Sequence, residues 1–130
     1  MGEDRLAIHI TQFSDALKRL EQVYTLEKND YIRDSAIKRF ELVFELAWKT
    51  IQSYVRAQGL DECHSPRSCF KEAYICKLIE YDDIWFAMID ARNRTAHTYN
   101  QQTADQVYKD IPQFIPYFKE LLVNLNNTAS

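Results

Sequence analysis

Along the first stretch of the chain, apolar residues recur every three or four positions. Leu6, Ile10, Phe13, Leu17, Leu20 and Tyr24 form the series, with Asp15, Lys18, Arg19 and Glu21 falling between them. An α-helix turns once in 3.6 residues, so this spacing predicts a helix with one narrow apolar stripe. The polar run Glu27-Lys28-Asn29-Asp30 ends it. Ile37, Phe40, Phe44, Ala47, Ile51 and Tyr54 repeat the pattern, and Val43, Leu46, Trp48 and Val55 widen the apolar surface past a single stripe. A helix of that kind belongs either at the centre of a bundle or against a second subunit. Gly59, in Gln58-Gly59-Leu60, is placed to take the left-handed conformation at its C-terminus.

Ser65-Pro66 reads as a helix start, an N-cap hydroxyl followed by proline in the first turn. The short helix it opens carries Phe70, Ala73, Tyr74 and Leu78. Asp82 or Asp83 caps the next helix, which carries Ile84, Trp85, Met88 and Ile89. Thr103, with Gln106 at capping-box spacing, is expected to open the last helix, striped by Ala104, Val107, Ile111, Phe114, Phe118, Leu121 and Leu125. Pro112 and Pro116 fall inside that stripe and should kink or divide it, and the residues after Asn126 read as a frayed tail. The predicted fold is all-α, an up-and-down antiparallel four-helix bundle with one additional short helix. It occupies a single domain, residues 1–130.

Composition agrees with this. Two glycines and three prolines in 130 residues leave long uninterrupted elements, and 13% aromatic residues can fill a bundle core. The formal charge of −3, without runs of like charge, argues against general attraction to nucleic acid and leaves only a local basic site for that role. The polar start Met1-Gly2-Glu3-Asp4-Arg5 and the lack of a long apolar run make the cytoplasm the expected location, with no membrane contact. Cys63, Cys69 and Cys76 are odd in number and lack a Cys-x-x-Cys pairing, so neither a disulfide framework nor a zinc site is expected. His9, His64 and His97 lie far apart, and no cofactor or metal is expected.

One segment breaks the pattern. Trp85, Met88, Arg92 and Ala96 follow one another at steps of three and four, and Ile89, Asn93 and His97 run beside them. Arg92, Asn93 and His97 therefore stand where the apolar surface should continue, and such breaks are where functional sites are expected. A buried Arg92 paired with a carboxylate, beside a satisfied helix-terminal His97, would give the same pattern. Residues five apart sit roughly 140° apart on an ideal helix. Arg92 and His97 would meet only if the helix ends near Thr95, or if the two came from different subunits. Arg94 is placed to pair with Asp90 on the solvated side.

Arg92-Asn93-x3-His97-x-Tyr99, of the form Arg-x4-His-x-Tyr, resembles the signature of the HEPN superfamily. The blocks Phe40-Glu41, Phe44-Glu45-Leu46-Ala47-Trp48-Lys49 and Ser65-Pro66-Arg67, then Trp85 and Met88, resemble its nucleotidyltransferase substrate-binding branch. The resemblance spans most of the chain. It implies a helical-bundle homodimer encoded beside a minimal nucleotidyltransferase, which is its partner. Members of the family bind nucleotide or substrate for that enzyme, or are toxin ribonucleases that it neutralises. On the second reading Arg92 and His97 cleave RNA without metal, with Asn93 in support. His97 exchanges protons near neutral pH and Arg92 offsets charge on the scissile phosphate. The resemblance also implies that Tyr99 can accept adenylyl groups from the partner enzyme.

Other residues fit plainer roles. Trp48, Tyr54 and Trp85 could stack a base, but their helical spacing fits a core. Lys49 and Arg67 could hold an anion, but paired surface charges would serve as well. No Gly-rich phosphate loop or nucleotidyltransferase signature is present, so any nucleotide transfer requires another polypeptide as catalyst. Two readings remain, with the partner module slightly ahead of the ribonuclease, and enzyme status stays open between them.

Overall fold

The structure, a computed structural model, describes residues 2–129 and the side chains of 4–128. Its elements are α1 (Gly2–Val23), α2 (Asp30–Ala57), α3 (Pro66–Ile75), α4 (Ile84–Arg94), α5 (Gln101–Asp110) and α6 (Ile115–Ala129), with short 3-10 turns at Thr95–His97 and Ile111–Phe114. No strand occurs among the described residues.

Cross-chain pairs fix the topology. His9 meets Ser53 and Arg39 meets Arg19, so α1 and α2 run in opposite directions. Arg94 meets Asp110 while Asp82 meets Tyr117, so α4 opposes the α5–α6 column. Four columns therefore run up and down, with α3 as the short extra helix. α2 packs against α1, α3, α4 and α5, which places the helix with the widened apolar surface at the centre.

Most of the predicted stripes form the core, but Tyr74 is exposed and Tyr24 and Ile89 are half-buried. Phe13, Phe40, Phe44, Phe114 and Phe118 are all fully buried. Phe40 stacks on Phe114 at 5.8 Å between ring centroids, and Phe13 meets Phe118 edge-on at 6.2 Å. Each fully buried phenyl side chain stabilises the fold by about 1.5–3 kcal/mol through area alone.

Helix ends follow local chemistry. Asn29 caps α2 by accepting from the Ile32 amide. Gly59 takes φ 68°, and the amides of Gly59 and Leu60 return to the carbonyls of Arg56 and Val55, which closes α2 in a Schellman motif. Ser65 and Ser68 form a reciprocal capping box at the start of α3. Of the two candidates it is Asp82, two residues before Ile84, whose side chain accepts from the Ile84 amide and also from the Tyr117 hydroxyl, while Asp83 makes no side-chain cap. Pro112 divides the last column, which re-forms as α6 with Pro116 in its first turn.

Four expectations are corrected. α5 opens at Gln101, because the Asn100 side chain takes the Thr103 amide, and Gln106 reaches forward to Asp110 instead of back to Thr103. Helix α6 continues through the expected tail to Ala129, with Thr128 donating to the Leu125 carbonyl. Cys63, in the loop before α3, forms a disulfide with Cys69 of α3, and both are buried. The fold brings their Cα atoms to 5.0 Å, a proximity that sequence spacing does not reveal. Arg94 does pair with Asp90 at 3.2 Å, but it is half-buried and also reaches Asp110 at 3.0 Å.

Candidate functional site

α4 buries only Trp85, Met88 and Ala91, so its inward face ends one residue before Arg92. The Arg92 side chain turns towards α2. Its Nη1 lies 3.6 Å from Glu41 Oε2 and its Nε 3.7 Å from Glu45 Oε1. Nη1 also donates to Thr95 Oγ1 at 2.9 Å, and that hydroxyl donates to the Arg92 carbonyl. The Arg92 side chain is 31% exposed, and its Nε is buried without a hydrogen bond. Two carboxylates thus offset its charge at ion-pair range, too long for good hydrogen bonds.

Glu45 is itself held. Trp48 Nε1 donates to Glu45 Oε2 at 3.2 Å, and Lys49 stands 3.8 Å from the same oxygen. Arg19, Lys38, Arg39 and Leu42 join Glu41, Glu45 and Arg92 around a concavity of about 440 Å³ between α2 and its neighbours. The two glutamates were missed as Arg92's partners. Their signal was the spacing of four, which puts both on one face of α2, opposite a stripe position that carries a cation.

The α-helix gives way to a 3-10 turn at Thr95, close to where the sequence required it to end. This does not join the two motif residues within one chain. Arg92 is directed to α2 and Thr95, while His97 is exposed with its Nδ1 3.4 Å from the Tyr99 hydroxyl. The two rings meet edge-on at 6.0 Å, and Tyr99 is 81% exposed. Asn93 is exposed on the same helix end. The fold therefore groups His97 with Tyr99 and Arg92 with Glu41 and Glu45.

Among the remaining candidates, Trp85 and Tyr54 are buried in the core. Lys49 is paired with Glu45 and lies over the Trp48 ring, as the plainer reading expected. Arg67 is not paired with a carboxylate among the described residues, and its guanidinium lies 5.1 Å from the Phe86 ring centroid. Among the described residues, no helix is long and apolar enough to cross a membrane.

Comparison with known proteins extends the picture beyond this geometry. A family model described as nucleotidyltransferase substrate binding protein like matches residues 8–127. A crystal structure from Thermus thermophilus has a TM-score of 0.80 at 31% identity, over 87% of this chain and 98% of that one. A Haemophilus influenzae structure, described as the fold of a substrate binding domain of a nucleotidyltransferase, has a TM-score of 0.68 at 25% identity, over 95% and 98%. A curated H. influenzae relative named "Probable ribonuclease HepT" is 31% identical over 90 residues, which cover 66% of this chain and 62% of that protein. The match thus spans less than two-thirds of that relative.

Proposed function

Because the chain belongs to the nucleotidyltransferase substrate-binding protein family, we propose that it is the helical partner of a separate minimal nucleotidyltransferase encoded nearby. Its site for nucleotide or substrate is the α4–α5 junction, with Arg92, Asn93, His97 and Tyr99. The family match over residues 8–127 carries this reading. The exposed junction is consistent with it, since Tyr99 stands clear of the bundle where a second enzyme can reach it.

Tyr99 is the proposed acceptor. Its phenol oxygen attacks the α-phosphorus of ATP in the partner's active site, forming a phosphodiester and releasing pyrophosphate, while the phenolic proton passes to base or solvent. The added negative charge stands beside His97 and competes for nearby cations. Incubation with the cognate nucleotidyltransferase and ATP, followed by intact-mass measurement, tests this. An adenylyl increment that is absent in Tyr99→Phe is expected. An increment that persists in that variant removes Tyr99, and failure of the two proteins to associate removes the partner reading.

The chain is proposed to work in the cytoplasm as a homodimer. Leu42, 48% exposed at the Arg92 concavity, and half-buried Leu46 one turn further along α2 offer an apolar face for a second copy.

The ribonuclease named among the relatives favours a second reading, metal-independent RNA cleavage with Arg92 and His97 as catalytic residues. Since no hydrogen bond joins these two side chains among the described residues, that chemistry draws Arg92 and His97 from facing protomers. Arg92→Ala and His97→Ala should then each abolish cleavage at unchanged helical content, and EDTA should have no effect.

A further inference from the structure

A second concavity, of about 400 Å³, lies between α3 and the start of α4, within the usual size range of small-ligand sites. Phe70, Tyr74, Trp85 and Phe86 line it. Phe70 and Trp85 are anchored in the core at 4.9 Å from each other, whereas Tyr74 and Phe86 remain exposed. Aromatic rings left open around a cavity are surfaces on which a planar ring can stack.

The charges around it are arranged by element. Arg67 and Lys71, one helical turn apart on α3, line the cavity and form no ion pair among the described residues. Glu80 and Asp82, from the turn leading into α4, line it as well. Asp82 is already engaged by Tyr117 and the Ile84 amide, which leaves Glu80 without an ion pair among the described residues. The cavity therefore offers ring surfaces, a cationic pair from one helix and an acceptor from the following turn.

We propose that this cavity binds one nucleoside monophosphate, with the base among the aromatic rings, the phosphate at Arg67 and Lys71, and a sugar hydroxyl or base N–H donating to Glu80. The charge balance selects the monophosphate. Two cations match one phosphate group, while the neighbouring carboxylates oppose the further charge of a triphosphate. This site is separate from the Arg92 concavity and shares none of its lining residues. The inference does not depend on the α4–α5 junction being functional.

Isothermal titration of the full chain with 5′-AMP and 5′-UMP tests it. Saturable binding of at least one is expected at one site per chain. Adenosine, ribose 5-phosphate and ATP should each bind roughly tenfold or more weakly than the monophosphate. The double variant Arg67→Ala, Lys71→Ala should weaken binding by a similar factor without changing the thermal midpoint, because both side chains are exposed. Phe86→Ala should weaken it too, and Lys109→Ala, at an exposed α5 residue that does not line the cavity, should leave it unchanged. Absence of saturation at millimolar monophosphate would overturn the proposal. So would undiminished binding in the Arg67, Lys71 variant, or loss of binding in Lys109→Ala.

Discussion

Lys77 follows α3 with φ 66°, in the left-handed region that favours glycine. Its amide and that of Leu78 return to the carbonyls of Tyr74 and Ala73, the same closing motif that Gly59 supplies for α2. The side chain is exposed, so Lys77→Gly removes backbone strain at the loss of little packing. It should raise stability by up to about 1 kcal/mol, read as a higher urea midpoint at constant slope. His9 gives a pH-dependent counterpart. Burial, together with the charges of Arg5 and Lys49, holds its imidazole below the usual 6.5. The unfolded chain therefore takes up this proton more readily than the folded one. Its effect is absent well above pH 6.5, and stability falls as pH drops through 6.5 towards the folded value. Thermal melts between pH 8 and 5.5 should show a shallower decline for His9→Gln than for the parent chain.

At the scale of elements, α5 depends on contacts at both its start and its flank. Asn100 caps it through the Thr103 amide, so Asn100→Ala should cost about 1 kcal/mol in chemical denaturation. Arg33, only 4% exposed on α2, is held by Asp105 of α5 at 3.1 Å and by Asp34 of its own helix at 3.1 Å. Hydrogen bonds from Arg33 and Lys28 keep the Asp105 carboxyl below its ordinary range. Asp105→Asn leaves the buried guanidinium under-compensated and should lower the thermal midpoint, whereas Lys28→Gln should change it far less. The start of α3 was legible beforehand because Ser65 acts on a neighbour three residues away. The start of α5 was misjudged because two capping signals, Asn100 and Thr103, stand close together. Only the geometry of the preceding 3-10 turn decides between them.

Over the whole molecule, two further outcomes are expected. Light scattering at micromolar concentration should give the mass of a dimer, and Leu42→Glu should shift it towards monomer. A monomeric parent chain would remove the shared-site reading of Arg92 and His97. The Cys63–Cys69 bridge closes a short loop and should contribute about 2 kcal/mol, so reducing agent should lower the thermal midpoint while Cys63→Ser abolishes that response. Bridges of this kind persist in oxidising surroundings, and a reducing cytoplasm favours the dithiol. Alkylation of freshly isolated protein followed by intact mass reads which state the cell maintains. The sequence alone determined the helical class, most of the core stripes and several helix ends, such as those at Gly59 and Ser65, because each depends on residues within one or two turns of each other. It also marked Arg92 and His97 as departures from the stripe, since a polar residue at an apolar position is a local fact. Only the tertiary structure decided that Glu41 and Glu45 hold Arg92, that His97 stands with Tyr99, that Cys63 reaches Cys69, and that Arg67 shares a cavity with Trp85. Each of those depends on where separate elements or loop segments meet in space, which is set by the packing of the whole core and not by spacing along one helix.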